Sequence, residues 1–405
     1  MAAVDPFAAS VVVQKAVERD LDTLIEVRRD LHANPELAWH EVRTTDLLAA
    51  HLEGTAWAIT RLSPTGLLAD LGDAGQLVAL RADIDALPIR DATTDSWRSL
   101  APDVAHACGH DVHAAALLGA AWALADVAAA GRLPGRVRLI FQPAEEVMPG
   151  GALEAMSQGG LDGVSSIFAL HCDPSLDVGQ VGLRVGSITG AADRVEVRLT
   201  GAGGHTSRPH LTEDLVFALG KVVTELPAIV SRRLDPRAGF SVVWGMARSG
   251  SAANVIPDEG MVAGTVRMLD PGAWAAAESL IRGAIAQIVA PYEVVAEVIY
   301  ARGVPPVVND ATAIAVWADA VTRVVGPNAV AATTQSLGGE DFGWFVDQVP
   351  GAMARLGTRT PGGRTYDLHQ GSLLVDEGAV SVGARLLAEV AMGALVNTGG
   401  SNVQS

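Results

Sequence analysis

HACGHDVHAAALLGAAWALADVAAAGRLPGRVRLIF, residues 106–141, places a long alanine-rich helix directly before a short apolar strand. The helix is predicted over Val112–Ala130 and the strand over Val137–Phe141, with a turn containing Gly and Pro between them. Alternation of long helices with buried strands is typical of an α/β fold built on a mostly parallel central sheet. The stretch Ala114–Gly131 contains Asp126 and is rich in Ala rather than Leu, so we interpret it as a buried helix and not a membrane span.

The same alternation extends toward both ends of the chain. Helices are predicted at Val11–His32 and at 41–52, and short strands are predicted at Gly66–Leu71 and Leu77–Ala82. Ile167–His171 is a further apolar run of strand length. These elements predict one α/β domain with helices flanking its sheet.

A different pattern occupies the middle of the chain. Polar and apolar residues alternate over Asp193–Thr200, Gly239–Ala247 and Gly260–Met268, as in antiparallel strands with one exposed face. Together with the helices between them they follow the order β-α-β-β-α-β, that of a ferredoxin-like unit. We therefore predict an inserted α+β domain at 187–302, between the two parts, 1–186 and 303–405, of the α/β domain.

The composition excludes several classes of protein. Among the 405 residues, 49% are hydrophobic, which suits large cores and excludes intrinsic disorder. Lys and Arg number 29 against 46 Asp and Glu, a net charge of −17 that disfavours nucleic acid and anionic membranes as general partners. The only cysteines, Cys108 and Cys172, are too few for a disulfide scaffold.

The N-terminal MAAVDPFAASVVVQK lacks the basic region of a signal peptide, so a cytoplasmic location is predicted.

Metal-binding side chains are concentrated at the start of the alanine-rich helix. His106, Cys108, His110, Asp111 and His113 fall within eight positions. Imidazole, thiolate and carboxylate are the ligands that zinc prefers, and a helix N-terminus favours the thiolate. Capping and core histidines are the alternative interpretation, but the density of the cluster favours a metal site.

Other polar residues follow predicted strands, where ligands collect in α/β sheets. Glu145 and Glu146 come after VRLIF, and such a pair can supply a metal ligand and a general base, although a solvated acidic turn is the alternative. His171 ends an apolar run and is either a ligand or a hydrogen-bonded core histidine. Asp83 and Asp85 could bind metal directly or orient the ligand histidines, and the second role is the more conservative choice.

Two further motifs carry little weight alone. His369 lies in a predicted loop late in the chain. In the inserted domain, GAGGHTSRPH contains His205 and Ser207, but it has neither the spacing of a nucleotide-binding loop nor the context of a nucleophile elbow.

Taken in order, these motifs resemble the aminoacylase/carboxypeptidase family of dinuclear metallohydrolases. Within it the chain is similar to the branch of auxin-conjugate hydrolases, hippurate hydrolases and N-acyl-amino acid amidohydrolases. The similarity runs from about Arg28 to Glu377 and rests on RRDLHANPELAWHE, LRADIDALP, HACGHDVHAAALLGAA, LIFQPAEE, LHCDP, GGHTSRPH, NVIPDEG, GGEDF and LHQGS. Of these, HACGHDVH together with PAEE is the most specific.

The resemblance implies a role for each matching residue. It implies two divalent metal ions, for which zinc fits the ligands best and manganese, cobalt and nickel are also suitable. The implied ligands are Cys108, as a bridge, with His110, Glu146, His171 and His369. The other implied roles are Glu145 as general base, His205 as oxyanion-binding lid residue, Asn254 and Arg267 as substrate-carboxylate ligands, and Asp83 and Asp85 as supports for the metal ligands.

The implied reaction is hydrolysis of N-acyl or aryl-acyl amino acids to a carboxylic acid and a free amino acid. The α/β domain is then catalytic, and the inserted domain is a lid through which two chains form a homodimer. A dinuclear metal-dependent dipeptidase or carboxypeptidase is the alternative, because these enzymes share the metal core. A non-enzymatic binding protein is disfavoured, since it has no need of Glu145 beside the ligand Glu146.

Overall fold

The computed structural model describes residues 6–397, which form two compact units. The first contains the described residues up to Gly186, Val308–Thr334 and the described residues from Trp344 onward. The second contains Ser187–Val307 and Gln335–Gly343. Residues 1–5, part of the segment on which the leader prediction rests, lie outside the described residues.

The helices and strands follow the chain in three groups. Before the insertion they are α1 (Pro6–Ala33), α2 (Val42–Leu52), β1 (Ala58–Arg61), β2 (Leu67–Leu71), β3 (Leu77–Asp83), α3 (His110–Ala129), β4 (Arg136–Gln142), α4 (Ala152–Ser157), β5 (Val164–Asp177) and β6 (Val181–Leu183). The middle group is β7 (Gly186–Ser187), β8 (Ala191–Thr200), β9 (Gly204–His205), α5 (Leu215–Arg233), β10 (Ser241–Ser249), β11 (Val255–Ile256), β12 (Glu259–Met268), α6 (Pro271–Val289) and β13 (Val295–Val304). The last group is β14 (Val308–Asn309), α7 (Ala311–Val324), β15 (Val330–Ala332), α8 (Phe342–Val346), β16 (Gly351–Arg359) and α9 (Gly378–Asn397).

The first unit is built on an eight-stranded sheet with the order β1-β2-β4-β3-β5-β16-β6-β15. Its central strands β4, β3, β5 and β16 run parallel, whereas β1, β2 and the β16–β6 pair are antiparallel. This confirms the predicted α/β fold with a mostly parallel central sheet. The sequence did not indicate which strands are antiparallel, because the pattern of a short apolar strand does not show in which direction it runs relative to its neighbours.

Helix α3 lies at the centre of the core of this unit, packed against α1 and α9. Leu117, Leu118 and Leu124 are fully buried. Two helices, α3 and α9, are long and apolar enough to cross a membrane by composition, yet 72% of each such window is buried inside the protein. The alanine-rich stretch is therefore a core helix, as predicted.

The second unit contains the predicted β-α-β-β-α-β order. Its four strands form an antiparallel sheet, β10-β12-β8-β13, with α5 and α6 packed on it, and β9 pairs separately with β11. The unit extends to Val307 and takes in Gln335–Gly343, beyond the boundaries of 302 and 303 drawn from sequence. The later segment is held by hydrogen bonds from Ser336 N–H to the Ile188 carbonyl (2.9 Å) and from Arg267 to the Leu337 carbonyl (2.7 Å). Because these hydrogen bonds join residues that are far apart in the chain, no local sequence pattern could predict that this segment belongs to the second unit.

Candidate metal centre

The first two candidate ligands flank a glycine at the start of α3. Gly109 has φ 87° in the left-handed region, and the helix begins at the next residue, His110. A Cβ at Gly109 would lie 2.8 Å from Sγ of Cys172, so the turn requires glycine. This tight turn brings the side chains of Cys108 and His110 to the same point of the sheet edge.

Two groups of three potential ligands share Cys108. Its Sγ lies within 4.8 Å of nitrogen atoms of His110 and His171, and these are within the same distance of each other. The same sulfur forms a second group of this size with Glu146 and His369. The structure therefore brings together all five residues predicted to bind metal, and Cys108 is common to both groups.

The shortest distances in the cluster define its shape. Cys108 Sγ is 3.6 Å from His171 Nε2, and Glu146 Oε1 is 3.4 Å from His369 Nε2. His110 Nε2 is 3.8 Å from Glu146 Oε1 and 3.9 Å from Glu145 Oε2. Only the His369 side chain is well exposed, at 53%, so the cluster opens to solvent on that side.

The hydrogen bonds of the cluster orient two histidine rings and leave two buried polar atoms without a partner, as expected of a cation site. His110 Nδ1 is 2.9 Å from the Asp85 carbonyl oxygen and His171 Nδ1 is 2.9 Å from that of Cys172, contacts in which each Nδ1–H donates. Nε2 is therefore the ring nitrogen of each histidine that faces the cluster and could bind a cation in place of a proton. His110 Nε2 and Glu146 Oε1 are buried without a hydrogen-bond partner within residues 6–397. Unpartnered buried acceptors of this kind fit metal ligands.

The electrostatics also favour positive charge here. Burial raises the pKa of the Cys108 thiol, so a nearby cation is needed to form the thiolate. Contacts with Cys108 and Glu146 raise the pKa of His369 to about 10. Burial opposes protonation of His110, but the negative charge of Asp83 raises its pKa well above the usual range. The cluster thus retains protons that metal ions would replace.

Two aspartates, Asp83 and Asp85, form hydrogen bonds that hold residues of the cluster and its neighbours in place. The Asp85 carboxylate accepts hydrogen bonds from the backbone N–H groups of Glu145 (3.0 Å) and Glu146 (2.9 Å). Asp83 is fully buried, 2.5 Å from His113 Nδ1 and 2.8 Å from a guanidinium nitrogen of Arg81. Its carboxylate also lies 3.6 Å from His110 Nε2. These contacts place Asp85 behind the acidic pair and Asp83 behind the histidines.

Two further residues hold the cluster: Glu41, which sequence reasoning missed, and His113, which it counted only as one of the potential metal-binding side chains. Glu41 accepts hydrogen bonds from the Ala144 backbone N–H (2.8 Å) and the Thr65 hydroxyl (2.6 Å), and Ala144 has a left-handed φ of 56°. Glu41 lies 103 residues before this turn, so no local signal points to it. His113 accepts a hydrogen bond from Cys172 N–H (2.8 Å), and its i, i+3 spacing from His110 could have indicated a shared helix face.

We predict that Asp85→Asn lowers kcat by about 10- to 100-fold, the usual cost of losing a residue that orients metal ligands. An asparagine offers one oxygen where two backbone N–H groups need acceptors, so the pair Glu145–Glu146 is misplaced. Steady-state kinetics and metal analysis after dialysis measure the effect. Asp73→Asn, in an exposed turn, is the control, and equal kinetics of the two variants would contradict the prediction.

The remaining predicted site residues lie in the second unit. His205 on β9 pairs with Val255 on β11, and the carbonyl of Asn254 accepts a hydrogen bond from Thr206 N–H at 3.3 Å. His205 Nδ1 is 2.8 Å from the Ser207 hydroxyl, and His205 is exposed. Arg267 lies on β12. The structure therefore brings His205 and Asn254 together within this unit, and their roles stay predictions.

Comparison with known proteins identifies relatives along most of the chain. A family model described as peptidase family M20/M25/M40 matches residues 79–393. A Rhodococcus jostii (strain RHA1) protein named as glutamate–cysteine ligase 2-3 is 47% identical over 375 residues, 92% of this chain and 47% of that protein. The chain therefore spans about half the length of this relative.

Two relatives from Bacillus subtilis match over nearly their whole length. One, N-acetylcysteine deacetylase of strain 168, is 36% identical over 373 residues, 91% of this chain and 96% of the relative. The other is a solved structure described as a dinuclear metal-binding peptidase of the M20 family. It superimposes with a TM-score of 0.81 at 32% identity, covering 93% of this chain and 99% of its own.

Proposed function

The chain belongs to peptidase family M20/M25/M40, and from this premise we propose that it is a metal-dependent amidohydrolase. Its proposed substrates are N-acyl amino acids, which it cleaves to a carboxylic acid and a free amino acid. The observation that carries the proposal is the pair of ligand groups that share Cys108, with Glu145 next to them. The name of the N-acetylcysteine deacetylase relative supports an acylated amino acid as substrate.

Five residues, Cys108, His110, Glu146, His171 and His369, are proposed to hold two divalent ions, with zinc favoured by thiolate and imidazole. When bound, such a pair supplies a Lewis acid and an activated water. The fit rests on the unpartnered His110 Nε2 and Glu146 Oε1, which point into the cluster.

Glu145 is proposed as the general base. It belongs to neither group that contains Cys108, and its Oε2 lies 3.9 Å from Nε2 of the proposed ligand His110, beside the cluster. Its backbone is fixed by Asp85, which limits its movement. Glu145 takes the proton of the attacking water and then delivers it to the leaving nitrogen of the amide.

The second unit is proposed to act as the lid and as the dimer interface. His205 would donate a hydrogen bond to the developing oxyanion in the site of the partner chain, which makes the homodimer the active form. Asn254 and Arg267 would bind the carboxylate of the substrate. The short hydrogen-bonded ladder of β9 and β11 fixes the backbone of His205 for this task.

A dipeptidase or carboxypeptidase is the second candidate, because the family is described as a peptidase family. The two differ in the group that carries the scissile carbonyl. An amidohydrolase takes an acyl group without an α-amino group, whereas a dipeptidase must bind a free amine.

The test is a substrate series with metal-reconstituted protein. N-acetyl, N-benzoyl and indole-acetyl amino acids are compared with dipeptides of the same C-terminal residue, and bound metal is measured in the same preparation. We expect the highest kcat/KM with an acylated amino acid and about two metal ions per chain. Faster cleavage of the free dipeptides would favour the second candidate, and metal-loaded protein inactive on both sets would overturn the proposal.

A further inference from the structure

One buried arginine differs from the others in having no anionic partner. Among the residues that the structure describes, three arginines are at least nine-tenths buried: Arg28 (5% exposed), Arg81 (1%) and Arg355 (9%). Arg28 is paired with Asp111 at 2.8 Å, and Arg81 with Asp83 at 2.8 Å. Arg355 has no ion pair or side-chain hydrogen bond to any residue within 6–397. None of its side-chain nitrogens is enclosed without a partner, so the guanidinium reaches solvent and is open to an anionic ligand.

Arg355 lies beside the proposed metal centre. In the parallel pairing of β16 with β5, Arg355 is opposite His171, so both side chains stand on the same face of the sheet. On its other side Arg355 is opposite Gly182 of β6. A Cβ at Gly182 would lie 3.1 Å from Cβ of Arg355 and 2.8 Å from that of Thr333, so the glycine leaves room for the arginine.

Together with burial, the positive charge of Arg355 lowers the pKa of the neighbouring ligand residue, His171. Burial lowers the pKa of His171 well below its usual range, and the positive charge of Arg355 is the next contribution. The register of β16 on β5 independently places Arg355 directly beside this ligand residue.

A second arginine, Arg184, has no anionic partner within residues 6–397 and directly follows β6, the strand that pairs with β16 at Arg355. Arg184 follows Gly182 by two residues, and its Nε is buried without a hydrogen-bond partner in the described part of the chain. Asn309 connects the two strands, because its amide donates to the carbonyls of Arg184 (3.0 Å) and Met353 (2.9 Å). Arg355 is therefore opposite His171, and Arg184 follows the strand on the other side of Arg355.

We propose that Arg355, assisted by Arg184, forms a carboxylate-binding subsite next to the metal centre, so that the preferred substrate carries a carboxylate in addition to the one bound by the lid. Two arginines beside two metal ions would repel one another unless an anion lay between them. A guanidinium binds a carboxylate through two parallel hydrogen bonds. This inference rests on the proposed function, because it assumes an N-acyl amino acid.

The extra carboxylate can belong to either half of the substrate. It can be part of the amino acid, as in N-acetylglutamate, or of the acyl group, as in an N-succinyl amino acid. Each has a neutral counterpart of similar size, N-acetylglutamine and an N-butyryl amino acid. The pair that shows the larger preference identifies the half that contacts Arg355.

The kinetic test compares wild-type metal-loaded protein with Arg355→Met on both substrate pairs. We expect the wild type to prefer the charged member of one pair, and Arg355→Met to lose at least about 30-fold in kcat/KM for that member only. Arg359→Met is the matched control, since Arg359 lies on the same strand but is paired with Asp177 at 2.6 Å. An equal loss on both members, or no preference for charge in the wild type, would overturn the subsite.

A binding test separates this inference from the proposed function. Glutarate should raise the melting temperature of the wild type more than butyrate does, and this difference should disappear in Arg355→Met and decrease in Arg184→Met. Without ligand, Arg355→Met should melt at about the same temperature as the wild type, because Arg355 makes no ion pair or side-chain hydrogen bond within residues 6–397 that the variant would lose. A lower melting temperature with an unchanged glutarate effect would show that the arginine is structural. Protein inactive on every amide would refute the proposed function, while the glutarate comparison would still decide the subsite.

Discussion

Replacing Glu145 by glutamine should lower kcat by about 10²- to 10⁴-fold while the metal content stays unchanged. Glutamine keeps the size of the side chain and the backbone N–H that Asp85 accepts, but it cannot take a proton. Because Glu145 belongs to neither group of potential ligands that contains Cys108, the ligand set is intact in this variant. Kinetics on an N-acyl amino acid and metal analysis of the same preparation measure both quantities.

The control for this variant is Glu53→Gln, which removes an exposed carboxylate at the end of α2. It should behave as the wild type. Near-normal turnover of Glu145→Gln would exclude Glu145 as the base. Loss of metal from Glu145→Gln would instead make Glu145 a ligand, and its distance of 3.9 Å from His110 Nε2 would then shorten on metal binding.

The position of the site could be predicted because its polar residues directly follow apolar runs that are recognisable in the sequence as strands. Glu145 and Glu146 follow β4, and Asp83 ends β3, in a sheet whose central strands are parallel. Carboxyl ends of parallel strands meet at one edge, so residues far apart in sequence come together there. His171 could not be assigned in this way, because its strand β5 continues to Asp177 and the residue lies within it. His369 lies in a loop with φ 60°, where periodicity carries no information.

What the sequence could not indicate depends on long-range contacts. Glu41 supports the turn at Ala144 through a hydrogen bond that no spacing rule describes. Gln335–Gly343 joins the second unit through hydrogen bonds to residues from the start of the insertion. Arg355 lies in an apolar run that predicts only a buried strand, and its position beside His171 follows from the register of β16 on β5. Register depends on which face of each strand is buried and on the connection between the strands, and β5 and β16 are too far apart in sequence for a local pattern to give it.

The largest effect on metal binding is expected from the two cysteines, which make a matched pair. Cys108→Ala should bring bound metal from about two ions per chain to less than one, and lower kcat/KM by about 10³-fold or more. Each of the two ligand groups loses a member in this variant, because Cys108 is common to both. Removing His369 or His171 affects only one group, so His369→Ala should retain one ion.

Cys172→Ala tests whether the effect belongs to the thiolate at Cys108 or to any buried sulfur. Cys172 is fully buried, and its Sγ is 3.7 Å from the Gly109 carbonyl, while its backbone N–H donates to His113. Alanine leaves that backbone contact in place, so the variant should lose about 1 kcal/mol of stability and keep both ions. Metal loss from Cys172→Ala equal to that from Cys108→Ala would mean that the turn at Gly109 is the sensitive element. Full metal content in Cys108→Ala would show that two ions do not need a shared thiolate, and the dinuclear assignment would then rest on the carboxylates alone.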